Sequence, residues 1–217
     1  MVGVFSISPL KSGCFLEKTF PENDLQLNIT YNNTEIGLSK FYNNIIETKY
    51  KEYDTIILCH HDVSLEYLNI DAVIKGLEQF DIIGVAGGLN PKIIEKNLWH
   101  WMMEKENYRG IAGHSVNESQ LYVTSFGPTP SRVAILDGVF LAFDPKNIYN
   151  SGARFDENFL WHHYDIDFSL TCNLKKLKLG VWPILVNHQS PGLRDLNNKL
   201  WNQSNEYFRN KWNEKRK

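Results

Sequence analysis

Two imidazoles and a carboxylate follow one another at His60-His61-Asp62, directly after the apolar run Thr55-Ile56-Ile57-Leu58-Cys59. The run is short and β-rich, which suits a parallel strand covered on both faces. Ligands of open α/β sheets bind outside the carboxyl ends of such strands. Imidazole and carboxylate placed there can hold a divalent cation. Two further clusters offer similar chemistry. His162-His163-Tyr164-Asp165-Ile166-Asp167 precedes an apparent helix, and His188 follows the last apolar run. Five of the seven histidines fall in these three places, so the clusters, not the isolated rings, carry the functional reading.

Each residue also has an ordinary explanation. His60 and His61 could satisfy loop carbonyls at a strand end. Asp165 could be a helix N-cap, its carboxylate accepting a backbone N–H. His188 could be a satisfied, partly buried histidine, and Asp137 a turn residue before Gly138. Gly84, Gly87 and Gly88 lack the spacing of a dinucleotide fingerprint or a P-loop.

The elements that must position these residues alternate in type. Val2–Ser8 reads as a first strand, and Leu25–Tyr31 alternates apolar and polar as a second. Leu38, Phe41, Tyr42, Ile45, Ile46 and Lys49 set one stripe on a helix over Gly37–Tyr50. The strand Thr55–Cys59 follows, which makes a strand–helix–strand unit with parallel strands. Ile70–Phe80 is a second helix with Val73, Ile74 and Leu77 inward, and Asp81–Ala86 another buried strand. Pro91–Glu106 is helical or irregular, Tyr108–His114 a loop, and Leu121–Ser125 a strand. Val133–Phe143 contains Asp137-Gly138, either as a hairpin turn or within one bent strand where a ligand approaches the glycine. Ile166–Leu179 reads as a helix capped by Gly180, and Val181–Val186 as the last strand. The pattern predicts one α/β domain over 1–217, with an N-terminal strand and loop at 1–24 and a helical tail at 193–217.

Bulk properties narrow the function classes. A net charge of −2 on 217 residues leaves no basic field for nucleic acid. Three widely spaced cysteines, Cys14, Cys59 and Cys172, fit free thiols in a reducing compartment. Neither a signal peptide nor a membrane span is visible, so a cytoplasmic location is expected. In the tail, Trp201, Tyr207, Phe208 and Trp212 lie among Lys199, Arg209, Lys211, Lys215, Arg216 and Lys217. That mixture suits either a helix packed on the domain or a peripheral contact with an anionic membrane.

Taken in order, six stretches resemble a glycosyltransferase of the GT-A fold, of the family 2-like kind whose metal motif reads His-x-Asp-Val instead of Asp-x-Asp. They are Asp54–Val63, Ile83–Gly87, Leu136–Ala142, Phe155-Asp156-Glu157-Asn158-Phe159, His163–Phe168 and Val186–Ser190. The resemblance spans Leu25 to Gly192, and its most specific part runs from Phe155-Asp156-Glu157 to Tyr164-Asp165-Ile166-Asp167. It implies a Rossmann-like domain whose mixed, mostly parallel central sheet is flanked by helices. It implies a nucleotide-sugar donor, expected to be a UDP-sugar, and inverting transfer to a saccharide, lipid-linked saccharide or other hydroxyl acceptor. Asp62 and His188 would hold Mn²⁺ or Mg²⁺, and Asp165 would be the base toward the acceptor. His60, standing where a first carboxylate is usual, would sit with Asp137, Gly138 and Asp167 around donor and acceptor. Asp156 and Glu157 would be mainly structural. Two other classes stay open: a carbohydrate-binding or scaffold domain with a degenerate site, and a metallohydrolase built on His60, His61 and His188.

Overall fold

A computed structural model describes residues 1–21, 25–31, 35–115, 121–189 and 198–214 of the chain. Its strands are β1 (Val2–Ile7), β2 (Gln26–Thr30), β3 (Thr55–Cys59), β4 (Val63–Ser64), β5 (Ile82–Gly84), β6 (Ala86–Gly88), β7 (Tyr108–Ser115), β8 (Leu121–Gly127), β9 (Ser131–Val133), β10 (Ile135–Leu136), β11 (Phe140–Phe143), β12 (Leu179–Val181) and β13 (Asn187–His188). Its helices are α1 (Phe15–Lys18), α2 (Leu38–Lys49), α3 (Ile70–Leu77), α4 (Pro145–Ser151), α5 (Tyr164–Leu174) and α6 (Lys199–Glu214).

The main sheet has the order β2-β1-β3-β11-β5-β12-β9. β1 pairs in parallel with β2 and β3, and β5 with β12. β11 runs antiparallel between β3 and β5, and β9 antiparallel to β12. The sheet is therefore mixed, with parallel and antiparallel pairings evenly divided instead of mostly parallel. β3 lies inside the sheet, between β1 and β11, and is buried along its whole length, as its apolar run requires. α2 buries the expected stripe of Leu38, Phe41, Tyr42, Ile45 and Ile46. α3 is capped by Asn69, whose Oδ1 accepts from Ala72 N at 3.1 Å, and it turns Val73 inward but leaves Ile74 exposed.

A second sheet, absent from the sequence reading, has the order β10-β6-β7-β13-β4, with β8 pairing β7. It corrects three expectations. Tyr108–Ser115 is an eight-residue strand, not a loop, because its glycines let other backbones approach closely. Gly110 packs against Val85 and Gly113 lies 2.9 Å, at its implied Cβ, from the Val186 carbonyl. The stretch around Asp137-Gly138 is not a hairpin turn: β10 belongs to the second sheet and β11 to the first, so the chain bends between sheets there. The run after α5 also differs. The helix stops at Leu174, Lys176 takes the left-handed conformation (φ 63°), and Gly180 is a strand residue between Ile83 and Arg132. Pro183 lies in the irregular crossing from β12 to β13, where a missing N–H costs no ladder bond.

α6 packs on the domain through Trp201, Asn205, Phe208 and Trp212. Three of the four tail aromatics are thus spent in the core and are not free for a membrane surface. No helix among the described residues is long and apolar enough to cross a membrane. The three cysteines are buried, free thiols.

Asp167 fastens this helix. Its carboxylate is fully buried, 2.7 Å from Lys211 Nζ, and accepts from Trp212 Nε1 at 2.8 Å. Lys211 also reaches Asp156 at 2.7 Å. Breaking a buried charged pair costs about 3–5 kcal/mol; Lys211 keeps Asp156, so about 3 kcal/mol is expected for Asp167→Ala. At about 2–4 °C per kcal/mol for a domain of this size, Tm should fall by roughly 6–12 °C in a thermal melt. A drop below about 2 °C would show that α6 is held by something else.

Candidate active site

The site forms where the carboxyl end of β3 meets the second sheet. His60, His61 and Asp62 leave β3, and Val63-Ser64 then pair antiparallel with Asn187-His188, His188 opposite Val63. Gln189 N donates to Asp62 O at 2.8 Å. This short ladder sets His188 Nε2 3.2 Å from Asp62 Oδ1, and His60 Nδ1 lies 3.9 Å from the same oxygen. Ligand atoms of His60, Asp62 and His188 all fall within 4.8 Å of one another. Asp62 Oδ1 and His188 Nε2 are buried, yet neither is aligned into a hydrogen bond. Two orphaned buried atoms and a neighbouring imidazole converging on one point fit a divalent cation.

His61 stands apart. Its carbonyl accepts from Leu16 N at 3.0 Å, and its ring is not in this cluster. The metallohydrolase set of His60, His61 and His188 is therefore not assembled; Asp62 takes the place given to His61.

Asp165 lies at the other side of the bend at Asp137-Gly138. It is the second residue of α5, so it is not the N-cap; His163 holds that position in the left-handed conformation (φ 64°). Asp165 Oδ2 accepts from Gly138 N at 3.0 Å. Asp137 Oδ1 accepts from Val139 N at 2.9 Å, and His60 N donates to Val139 O at 3.3 Å. Gly138 is obligatory for a reason different from ligand approach: a Cβ there would overlap the Tyr164 hydroxyl and lie 2.9 Å from Asp165 Cβ. Asp167, expected to anchor the helix start or the cleft wall, faces α6 and is not among the residues lining the cavity.

One cavity of about 600 Å³ joins these groups. His60, Asp62, His188, Asp137 and Asp165 line it together. So do His100, His114, His162 and His163, bringing six of the seven histidines to one space. Trp99, Tyr108, Phe126, Trp161 and Trp201 supply apolar planes. The sequence reading missed His100 and His114; the strand pairing of His114 with His188 would have signalled it, had β7 been read as a strand.

Electrostatics separate the groups. Burial pushes His60, His100, His114 and His162 down, and His163 to about 3, so these rings are neutral near pH 7. Burial lowers His188 too, but contact with Asp62 outweighs it and raises the ring. For Asp62, burial favours the acid, yet the facing histidines, His188 first, hold it at about 2. Asp165 goes the other way: burial first, then the charge of Asp137, raise it from 3.8 to about 7.

This environment defines a fold class, the GT-A-like α/β type, in a mixed rather than strictly parallel form. The chain superposes over 92% of its length on the crystal structure of A197 from STIV, which it covers in full, with a TM-score of 0.52 and 13% identity. It superposes over 88% of its length on S. aureus TarS, with a TM-score of 0.51 and 11% identity, and spans 37% of that longer chain. At such identities the likeness is one of fold. No family model and no curated protein matches the sequence.

The raised carboxyl has a consequence for stability. Between about pH 4 and 7 the folded state keeps a proton on Asp165 that the unfolded chain releases, so stability falls as pH rises across this window. Asp165→Asn removes that cost, on the order of 4 kcal/mol for a carboxyl raised from 3.8 to about 7. Its Tm should exceed that of the parent by roughly 8–16 °C at pH 8 and match it near pH 4. Equal melting at both pH values would refute the buried, proton-retaining carboxyl.

Proposed function

We propose that the protein is a metal-dependent glycosyltransferase that moves a sugar from a nucleotide-sugar donor, expected to be a UDP-sugar, to a saccharide or related hydroxyl acceptor with inversion. One observation carries the reading. A His60–Asp62–His188 cluster able to hold a cation and a carboxyl raised to about 7 line the same cavity. The GT-A-like fold supports it.

His60, Asp62 and His188 would hold the cation. Two imidazoles and one carboxylate favour Mn²⁺ over the harder, oxygen-seeking Mg²⁺. When bound, such an ion offsets the charge on a departing diphosphate. Asp165 accepts the acceptor hydroxyl's proton as its oxygen attacks the anomeric carbon and the bond to the nucleotide diphosphate breaks. Neutral imidazoles at His100, His114 and His162 donate and accept hydrogen bonds, which matches hydroxyl groups. The Trp99 and Trp161 planes suit the C–H faces of a sugar. Trp201 of α6 also lines the cavity.

The first test is a donor screen: several nucleotide sugars are incubated with Mn²⁺ and saccharide acceptors, and nucleotide release is measured. No release from any donor would favour the carbohydrate-binding scaffold. Given an active donor, Asp62→Asn should abolish Mn²⁺-dependent nucleotide affinity. Asp165→Asn should leave the donor bound and cut turnover by about 10²–10⁴-fold. Turnover should rise with pH through about 7, as Asp165 loses its proton. Removing the neighbouring charge with Asp137→Asn should move that rise to lower pH. A pH profile unchanged in Asp137→Asn would exclude Asp165 as the base.

A further inference from the structure

Tyr164 opens α5 between two histidines and Asp165, and the reading above gives it no task. Its ring is buried among Tyr42, Phe155 and His60. Its hydroxyl lies 2.7 Å from His60 Nε2 and 3.3 Å from Gly138 O. With the phenol proton directed to the Gly138 carbonyl, which can only accept, the phenol oxygen accepts from His60, and this arrangement puts the imidazole proton on Nε2. Nδ1 is left with a free lone pair, and Nδ1 is the nitrogen that faces Asp62 Oδ1.

The same residue is held at its other end, where Gly138 N donates to Asp165 Oδ2 at 3.0 Å. Gly138 thus links the His60 side of the site, through Tyr164, to the Asp165 carboxyl. The glycine is what allows Tyr164 and Asp165 to reach it together.

We propose that Tyr164 is a positioning residue that presents His60 to a divalent cation through Nδ1, making His60 a third ligand beside Asp62 and His188. This rests on the metal-dependent reading above. A hydrogen bond to the far ring nitrogen fixes both the tautomer and the orientation of a ligating histidine, and its loss typically weakens metal binding by about 10–100-fold. Without the hydroxyl, the proton can move to Nδ1 toward Asp62, which blocks the ligand atom.

The test is titration of Mn²⁺ alone, by calorimetry and by the electron paramagnetic resonance of free Mn²⁺. It compares the full-length protein with Tyr164→Phe, His60→Ala, the double variant and Asp62→Asn. Tyr164→Phe should bind Mn²⁺ about 10–100-fold more weakly. His60→Ala should be at least as weak, and the double variant no weaker than His60→Ala, because Tyr164 acts only through His60. Thermal melting of the metal-free Tyr164→Phe protein separates this effect from misfolding. Electron spin-echo spectra of Mn²⁺ on the unaltered protein should show two imidazole nitrogens, and those of His60→Ala one. That count needs no Tyr164 variant.

Unchanged affinity in Tyr164→Phe, with His60→Ala weakened, would overturn the role of Tyr164 alone. A single nitrogen in the unaltered protein would overturn His60 as a ligand. Mn²⁺ binding that is absent from the start, or indifferent to Asp62→Asn, would instead remove the metal-dependent reading beneath both.

Discussion

The site depends on a backbone pairing only two residues long. Val63-Ser64 and Asn187-His188 come from distant parts of the chain, and their ladder alone sets His188 against Asp62. Strands this short have no stability of their own. They hold because β7 pairs β13 from its other side, with Asn187 opposite Gly113 and His188 opposite His114. Val63 and Val186, beside them, are fully buried. The polar cluster is therefore an outgrowth of the core, and its geometry is as rigid as the packing beneath it.

Burial then gives similar groups different chemistry. Asp62 and Asp165 line one cavity, but the first faces imidazoles and the second faces Asp137. One carboxylate is held ionised at about 2 and the other keeps its proton to about 7. Paired groups pushed apart in this way divide the labour of anchoring charge and moving a proton. The same burial keeps most of the histidines neutral, so a cavity rich in basic residues is not a cationic one. That argues for hydroxyl-bearing ligands over phosphate as the occupant of the histidine-lined end.

Much of this was legible in the sequence where local pattern and tertiary demand agree. The buried run Thr55–Cys59, the stripe on α2 and the order of Asp62, Asp137, Asp165 and His188 all point to the arrangement found. The second sheet as a whole was not legible: Leu121–Ser125 reads as a strand and falls in β8, but the other strands are two or three residues long or rich in glycine. Tyr108–Ser115 carries Gly110 and Gly113 for close backbone approach, and that composition mimics a loop. Asp167 misled for a different reason. Spaced two residues from Asp165 on a helix, it must face another direction, and what it meets there, Lys211 and Trp212, lies in the tail. Tyr164 was passed over because a tyrosine carries no signal until its hydroxyl finds partners.

The two sides of the cavity are also held by different means. The side that carries Asp62 and His188 sits on sheet ladders. The opposite wall, around Glu95 to His100, has no ladder, and side chains of α6 keep it in place. Asn205 Oδ1 accepts from Asn97 N at 2.9 Å and its Nδ2 donates to Glu95 O at 2.6 Å. Ser204 bonds His162 O and His163 Nδ1, each at 2.8 Å. Regions fixed by a few side-chain bonds open at lower free energy than those fixed by ladders. The wall that a proposed acceptor would meet is thus the more adaptable half, anchored through α6 to Asp167 and Asp156. Changes at the far end of that helix have a physical route to the cavity through Asp167 and α5.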